Sequence, residues 1–337
     1  VSVLSTVDGS GGGTITFNCG TATIPFTSYK QIANAVTIDG GGTITFDGGN
    51  TSPFFQVFFS ANVALKRLTL QHGAYTGGVR ALENIGTLAL DHVRVLNNNS
   101  TRGPLLSSGT LNVSWSTFAS NSGTSTTDGD GGAIENSSGD ARISTSTFSG
   151  NSAGHYGGAI YSNSTLTVAN STFNANTANA GGAIYQDTSG NSRVDYATIV
   201  ANTGTSFSGG LYNDGAGNST LTISRSIIGG NVNGNCDGVL VSGGYNLWTG
   251  TTNCPFSATG DAVAPASLIP GALASNGGPT QTMLPAAGNP AINHIPNGQC
   301  VIPVDQRGAG RPAGAGCDSG AVEAGGTLDL IFYDGFD

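Results

Sequence analysis

Lysine and methionine are almost absent from this chain of 337 residues, with two of the first and one of the second, and charged residues make up only 9% of it. With Leu and Glu also sparse, long helices lack their usual builders. The few basic residues are scattered and the net charge is −9, so no basic stripe exists to follow a nucleic acid. No apolar run approaches the roughly 18 residues that a membrane span needs. Disorder is equally excluded. Hydrophobic residues reach 37%, and they come as β-branched runs such as Thr14-Ile15-Thr16-Phe17 and Thr43-Ile44-Thr45-Phe46. A chain that starts at Val1, without Met, reads as a mature protein whose export signal has been removed.

Glycine is abundant, at 54 residues, and it recurs in phase. Gly131-Gly132-Ala133-Ile134 returns as Gly157-Gly158-Ala159-Ile160 and as Gly181-Gly182-Ala183-Ile184, with degenerate copies at Gly77-Gly78-Val79 and Gly209-Gly210-Leu211. Each copy is accompanied by a second element: Ser116-Thr117-Phe118, Ser146-Thr147-Phe148, Ser171-Thr172-Phe173, Ala197-Thr198-Ile199 and Ser226-Ile227-Ile228. Three residues past each apolar residue stands an asparagine: Asn121, Asn151, Asn176, Asn202 and Asn231. The period, roughly 23 to 30 residues, is that of a solenoid. Alternation such as Thr165-Leu166-Thr167-Val168 is strand-like. The pattern predicts an all-β, right-handed, single-stranded parallel β-helix over 1–254. Stacked asparagines should bond one above the other, Phe118, Phe148 and Phe173 should lie in the core, and the paired glycines should turn corners.

Five cysteines complete the framework. Cys236 with Cys254, and Cys300 with Cys317, lie in Gly/Asn/Pro-rich surroundings without zinc-like spacing and read as two disulfides, hence an oxidising compartment. Cys19 is left over. It reads as a small buried core thiol, with a bond to another chain as the alternative. Residues 255–326 lose the repeat and read as an irregular, disulfide-stapled C-terminal cap.

The Gly-Gly-Ala-Ile-Tyr and Ser-Thr-Phe-x-x-Asn repeats resemble bacterial surface β-helix proteins of the polymorphic outer-membrane repeat kind. Asn289-Pro290-Ala291-Ile292-Asn293, Asp305-Gln306-Arg307-Gly308 and Cys317-Asp318-Ser319-Gly320-Ala321-Val322-Glu323 resemble the end of choice-of-anchor Q domain proteins. The resemblance implies export to the bacterial surface and some form of anchoring. It implies no defined reaction.

Candidate sites follow from charge placement. Lys66, Arg67, His92 and Arg94 fall on consecutive coils and could share one face, as a polysaccharide lyase would need for its base and for neutralising a uronate carboxylate. The plainer alternative is an outward face of solvated charges. Asp128, Asp130 and Glu135, with Asp140 nearby, form the densest acidic cluster. They could serve a glycoside hydrolase, or Asp128 and Asp130 could hold Ca²⁺ weakly; a polar turn is the plainer reading. Tyr161 and Tyr185 should stack as neighbours, as a ladder or as a sugar-binding column. The last residues, 327–337, end in an apolar run with Leu328, Leu330, Phe332 and Phe336, resembling the termini of some exported bacterial proteins. They could pack on the cap, engage an anchoring machinery, or add as a strand to a neighbouring copy, with Val1 and Val3 of an N-terminal strand as acceptor. Such a head-to-tail contact would build a filament. The sequence therefore favours a non-catalytic, extracellular structural or adhesive β-helix that needs no cofactor, with a polysaccharide lyase or glycoside hydrolase as the alternative. Expected partners are other copies of itself, a polysaccharide or a cell-surface anchor, with no nucleic acid and no membrane span.

Overall fold

A computed structural model describes residues 3–75, 80–250 and 254–328. Its body is a parallel β-helix whose coils each lay down short strands on the coil before. In a central coil, Thr110–Ser114 forms a first face, Thr117–Ala119 a second, Ser122–Gly123 a brief edge and Ile134–Asn136 a third face. The third face is a nine-stranded parallel sheet, and the edge strands make a six-stranded one. The first two faces form one sheet, because strands such as Thr87–Leu96 run through the corner between them.

Register explains the core. Leu88 pairs with Leu111, Leu111 with Ala141 and Ala141 with Leu166, all within 1% of full burial. Phe118, Phe148 and Phe173 pair in the same way, and their rings stack at 4.9 Å with planes 4–5° apart. That distance is the strand spacing itself, about 4.8 Å, so identical residues one coil apart meet in ideal ring contact.

The corners follow from the repeat. Asn121 Nδ2 donates to Asn151 Oδ1 (2.9 Å), Asn151 to Asn176 (2.9 Å), Asn176 to Asn202 (2.8 Å) and Asn202 to Asn231 (3.0 Å). Asn98 extends the ladder at one end and Asn235 at the other. A second column, which the repeat motif did not signal, runs inside the third face, where Asn84 bonds Ser107 and Asn136 bonds Ser162. The paired glycines divide their labour. Gly157 has φ 67°, whereas a Cβ on Gly158 would lie 2.2 Å from the carbonyl oxygen of Gly182. The first glycine therefore makes the turn and the second admits the neighbouring coil.

Both expected disulfides form, Cys236–Cys254 and Cys300–Cys317. Cys19 departs from the expectation of a buried thiol: it is exposed, at the corner between Gly12–Thr16 and Ala22–Pro25, where the chain turns outward. The N-terminal strand is also corrected. Val3–Gly9 is a short helix, α1, set against the first coil, and Val3 is 67% exposed. No acceptor strand therefore exists at Val3, and Val1, Leu330, Phe332, Phe336 and Gly77-Gly78-Val79 lie outside the described residues.

The irregular C-terminal region lies along the flank of the later coils. Parallel pairing continues to Ala262–Ala264, and the chain then folds back over the second face. Gln306 is fully buried there. Its Oε1 accepts from Thr172 Oγ1 (2.6 Å), and its Nε2 donates to Thr147 Oγ1 (2.8 Å) and the Ser146 carbonyl (3.2 Å). Arg311 pairs with Glu323 at 3.1 Å, both buried, and its guanidinium lies 4.4 Å from the centre of the Tyr196 ring. Leu328 bridges Ala309, antiparallel. The Asp-Gln-Arg-Gly and Cys-Asp-Ser-Gly segments are thus the clasp that docks this region.

Candidate functional site

At the corner between the first and second faces, one residue per coil takes a left-handed backbone, from Arg67 through His92 and Trp115 to Tyr245, with φ between 44° and 58°. A single residue then turns the chain, and corner side chains from successive coils line up about 4.8 Å apart. In the early coils this column borders a groove of about 320 Å³ lined by Arg67, Leu68, Thr69, His92, Arg94, Trp115 and Thr117. Gly278 and Pro279 of the docked C-terminal region complete its wall.

Three of the four basic candidates therefore converge. Arg67 makes a two-pronged ion pair with Asp39, its Nε at 2.9 Å, and this holds the Asp39 carboxyl below its usual range. His92 Nδ1 lies 2.9 Å from Asp91, whose carboxyl that contact likewise lowers. The His92 ring stacks on Trp115, 5.9 Å between centres and 14° between planes. Arg94 is exposed on the second face, in register with Thr69 and Thr117. Lys66 stands apart from the groove lining, on the first face between Asp39 and Asp91 in register. Its charge helps to lower both carboxyls.

Trp115, Gly278 and Pro279 were not among the candidates. Trp115 was legible in principle, because it stands directly before Ser116-Thr117-Phe118, as His92 stands before Val93-Arg94-Val95. The other two required knowledge of where the tail docks.

The acidic cluster separates into private pairs. Asp128 binds Arg102 and Ser125. Asp130 lies 2.8 Å from His155 Nδ1 and accepts the Tyr156 N–H, and burial raises its carboxyl. Glu135, also raised by burial, pairs with the fully buried Arg80. Asp128 and Asp130 therefore turn their oxygens to different donors, and among the described residues no group of three or more His, Cys, Asp or Glu is placed to hold a metal. Tyr161, Tyr185 and Tyr212 stack along the third face, and Tyr156 stacks on Tyr185 at 4.4 Å. Tyr185 is 5% exposed, so its ring faces are spent on its neighbours rather than offered to a ligand.

A second recess, of about 250 Å³, opens at the N-terminal end. Leu4 of α1 lines it with Ile15, Phe17, Ile24 and Phe26 of the first coil and Phe46 and Phe55 beneath. The four first-coil residues are only partly buried. Among the described residues no helix is long and apolar enough to cross a membrane. No family model matches this chain, and no curated protein matches it at a significant level.

Proposed function

We propose that this protein is an extracellular adhesive β-helix that holds an acidic glycan in the groove of Arg67, His92, Arg94 and Trp115. The convergence of those side chains from consecutive coils beside a docked tail carries the reading. Of the two arginines that line the groove, Arg67 is paired with Asp39, and Arg94 adds an exposed positive charge on a chain whose net charge is −9. Arg94 is the residue placed to meet a sugar carboxylate with a charge-assisted fork, and Trp115 lines the groove with aromatic surface for a sugar ring. Two disulfides fit an oxidising, extracellular setting.

Calorimetric titration with an oligogalacturonide tests this. Binding should be seen, weaken as salt rises, and fall at least tenfold in Arg94→Ala and Trp115→Ala, a loss of about 1.4 kcal/mol. Absence of binding by the native protein refutes it. Unsaturated sugar products absorbing in the ultraviolet would favour the lyase instead.

A second reading, end-to-end assembly into a filament, is favoured by the partly covered apolar recess at the N-terminal end. It expects sedimentation velocity to show species that grow with concentration and are lost in Phe26→Ser. A monomer at all concentrations removes it.

A further inference from the structure

The groove is closed at one end and open at the other, and we infer that it receives the terminus of an anionic glycan chain, not its middle. This rests on the glycan-binding reading above.

The closed end is built by the docked tail. One coil beyond Trp115 the corner column continues with Thr145, and there Thr280 Oγ1 donates to the Thr145 carbonyl at 3.2 Å. In the same coil Thr147 Oγ1 donates to the Gln281 carbonyl at 2.5 Å. Thr280 is 3% exposed and Thr145 7%, so no channel passes beneath the segment that carries Gly278 and Pro279. The cover persists further along the column. Asn170 Nδ2 donates to the Val304 carbonyl at 2.9 Å, and the Gly320 N–H donates to the Arg225 carbonyl at 2.8 Å. A glycan lying along the corner therefore meets a wall just past Trp115.

Among the described residues the opposite end has no such barrier. The corner there is made of Gly41 and Gly42, with φ of 60° and 81°, and no described residue comes within 4 Å of where a Cβ would stand on either. Gly20, on the coil before, is equally open. From Gly42 to Thr117 the groove crosses four coils, a run of roughly 14 Å at the strand spacing. It thus admits a short terminal stretch of sugars, with the rest of the chain leaving over Gly41 and Gly42 toward the N-terminal end.

Stoichiometry separates the two modes of binding. Oligogalacturonides of one short and one long defined length are titrated into the intact protein, and the number of proteins per glycan chain is read by calorimetry and by sedimentation equilibrium. Terminus recognition gives one protein per chain at both lengths, with affinity per chain unchanged. A number of bound proteins that rises with chain length overturns the inference but leaves glycan binding standing. No binding at either length overturns both.

Discussion

Replacing Asn151 with alanine should be among the most damaging single changes in this molecule. Its side chain closes four hydrogen bonds: Oδ1 accepts from Asn121 N (3.1 Å) and Asn121 Nδ2 (2.9 Å), and Nδ2 donates to the Phe118 carbonyl (2.9 Å) and to Asn176 Oδ1 (2.9 Å). Asn121, Asn151 and Asn176 are all within 1% of full burial, so water cannot replace the lost partner without entering the core. A buried polar group left without a partner costs about 1–3 kcal/mol. Asn121 N loses its side-chain acceptor outright, while Asn121 Nδ2, the Phe118 carbonyl and Asn176 Oδ1 are each weakened. A total of about 4 kcal/mol is expected. Asn231 makes the corresponding four bonds, with Asn235 beyond it, but it is only half-buried, so water can replace part of what is lost and the same change should cost less, about 2 kcal/mol. Urea unfolding with the disulfides intact gives the two values. Because a solenoid can open coil by coil, amide exchange across 118–176 should show where the loss falls. Equal effects at positions 151 and 231, or a loss at 151 below about 1 kcal/mol, would falsify the view that the ladder is a core element rather than a decoration.

Other outcomes follow from the same structure. Phe148→Ala removes the middle ring of the stacked trio and should lower stability by about 3–5 kcal/mol, measured by calorimetric unfolding. Cys254→Ser opens the Cys236–Cys254 loop and should cost about 3 kcal/mol, again by urea titration. In the native, unreduced protein one thiol per chain, Cys19, should react at once with a thiol reagent; none reacting would mean that it is already bonded to another chain. Burial raises the Asp318 carboxyl to about 6, above its ordinary 3.8. The folded state therefore holds that proton more tightly than the unfolded one, and stability from this group is present below about pH 4 and lost as pH climbs toward 6. Melting temperatures should decline across that window in the native protein, and less steeply in Asp318→Asn.

What was legible in the sequence was whatever the stack repeats. A residue in a coil meets its own counterpart, so the phasing of Gly-Gly, Ser-Thr-Phe and Asn specified corners, core and ladder without any knowledge of distant contacts. The groove was half legible for the same reason: Arg67 and His92 occupy equivalent places in successive coils, and Arg94 follows two residues later. Its wall was not, because Thr145 and Thr280 lie 135 positions apart and meet only through a docking that no period announces. The two departures at the N-terminal end share a cause. Cys19 stands in the first coil and Val3 just before it, where no earlier coil imposes a register, so Val3–Gly9 was free to become a helix and Cys19 to be exposed.

One column of residues connects docking with binding. Along the second face Thr69, Arg94, Thr117, Thr147, Thr172 and Thr198 follow one another in register. In the later coils the hydroxyls of Thr147 and Thr172 donate to the tail, and that of Thr198 accepts the Ala321 N–H at 3.0 Å. In the earlier coils Thr69 and Thr117 line the groove with Arg94 between them. A flat row of hydroxyls can bond a carbonyl or a sugar oxygen with little preference, so the row alone does not decide what it holds. The decision is made by Arg94, the one coil in this run where a guanidinium replaces the hydroxyl, and by the docked tail, whose described hydrogen bonds to the column begin one coil beyond Trp115. Arginine at the Thr147 position would place a long charged side chain where Gln281 and Gln306 now dock, and the tail would be displaced. Threonine is kept on both sides of the boundary, at Thr69 and Thr117 as at Thr147 and Thr172, so what sets the open part of the face apart is the cation it carries at Arg94.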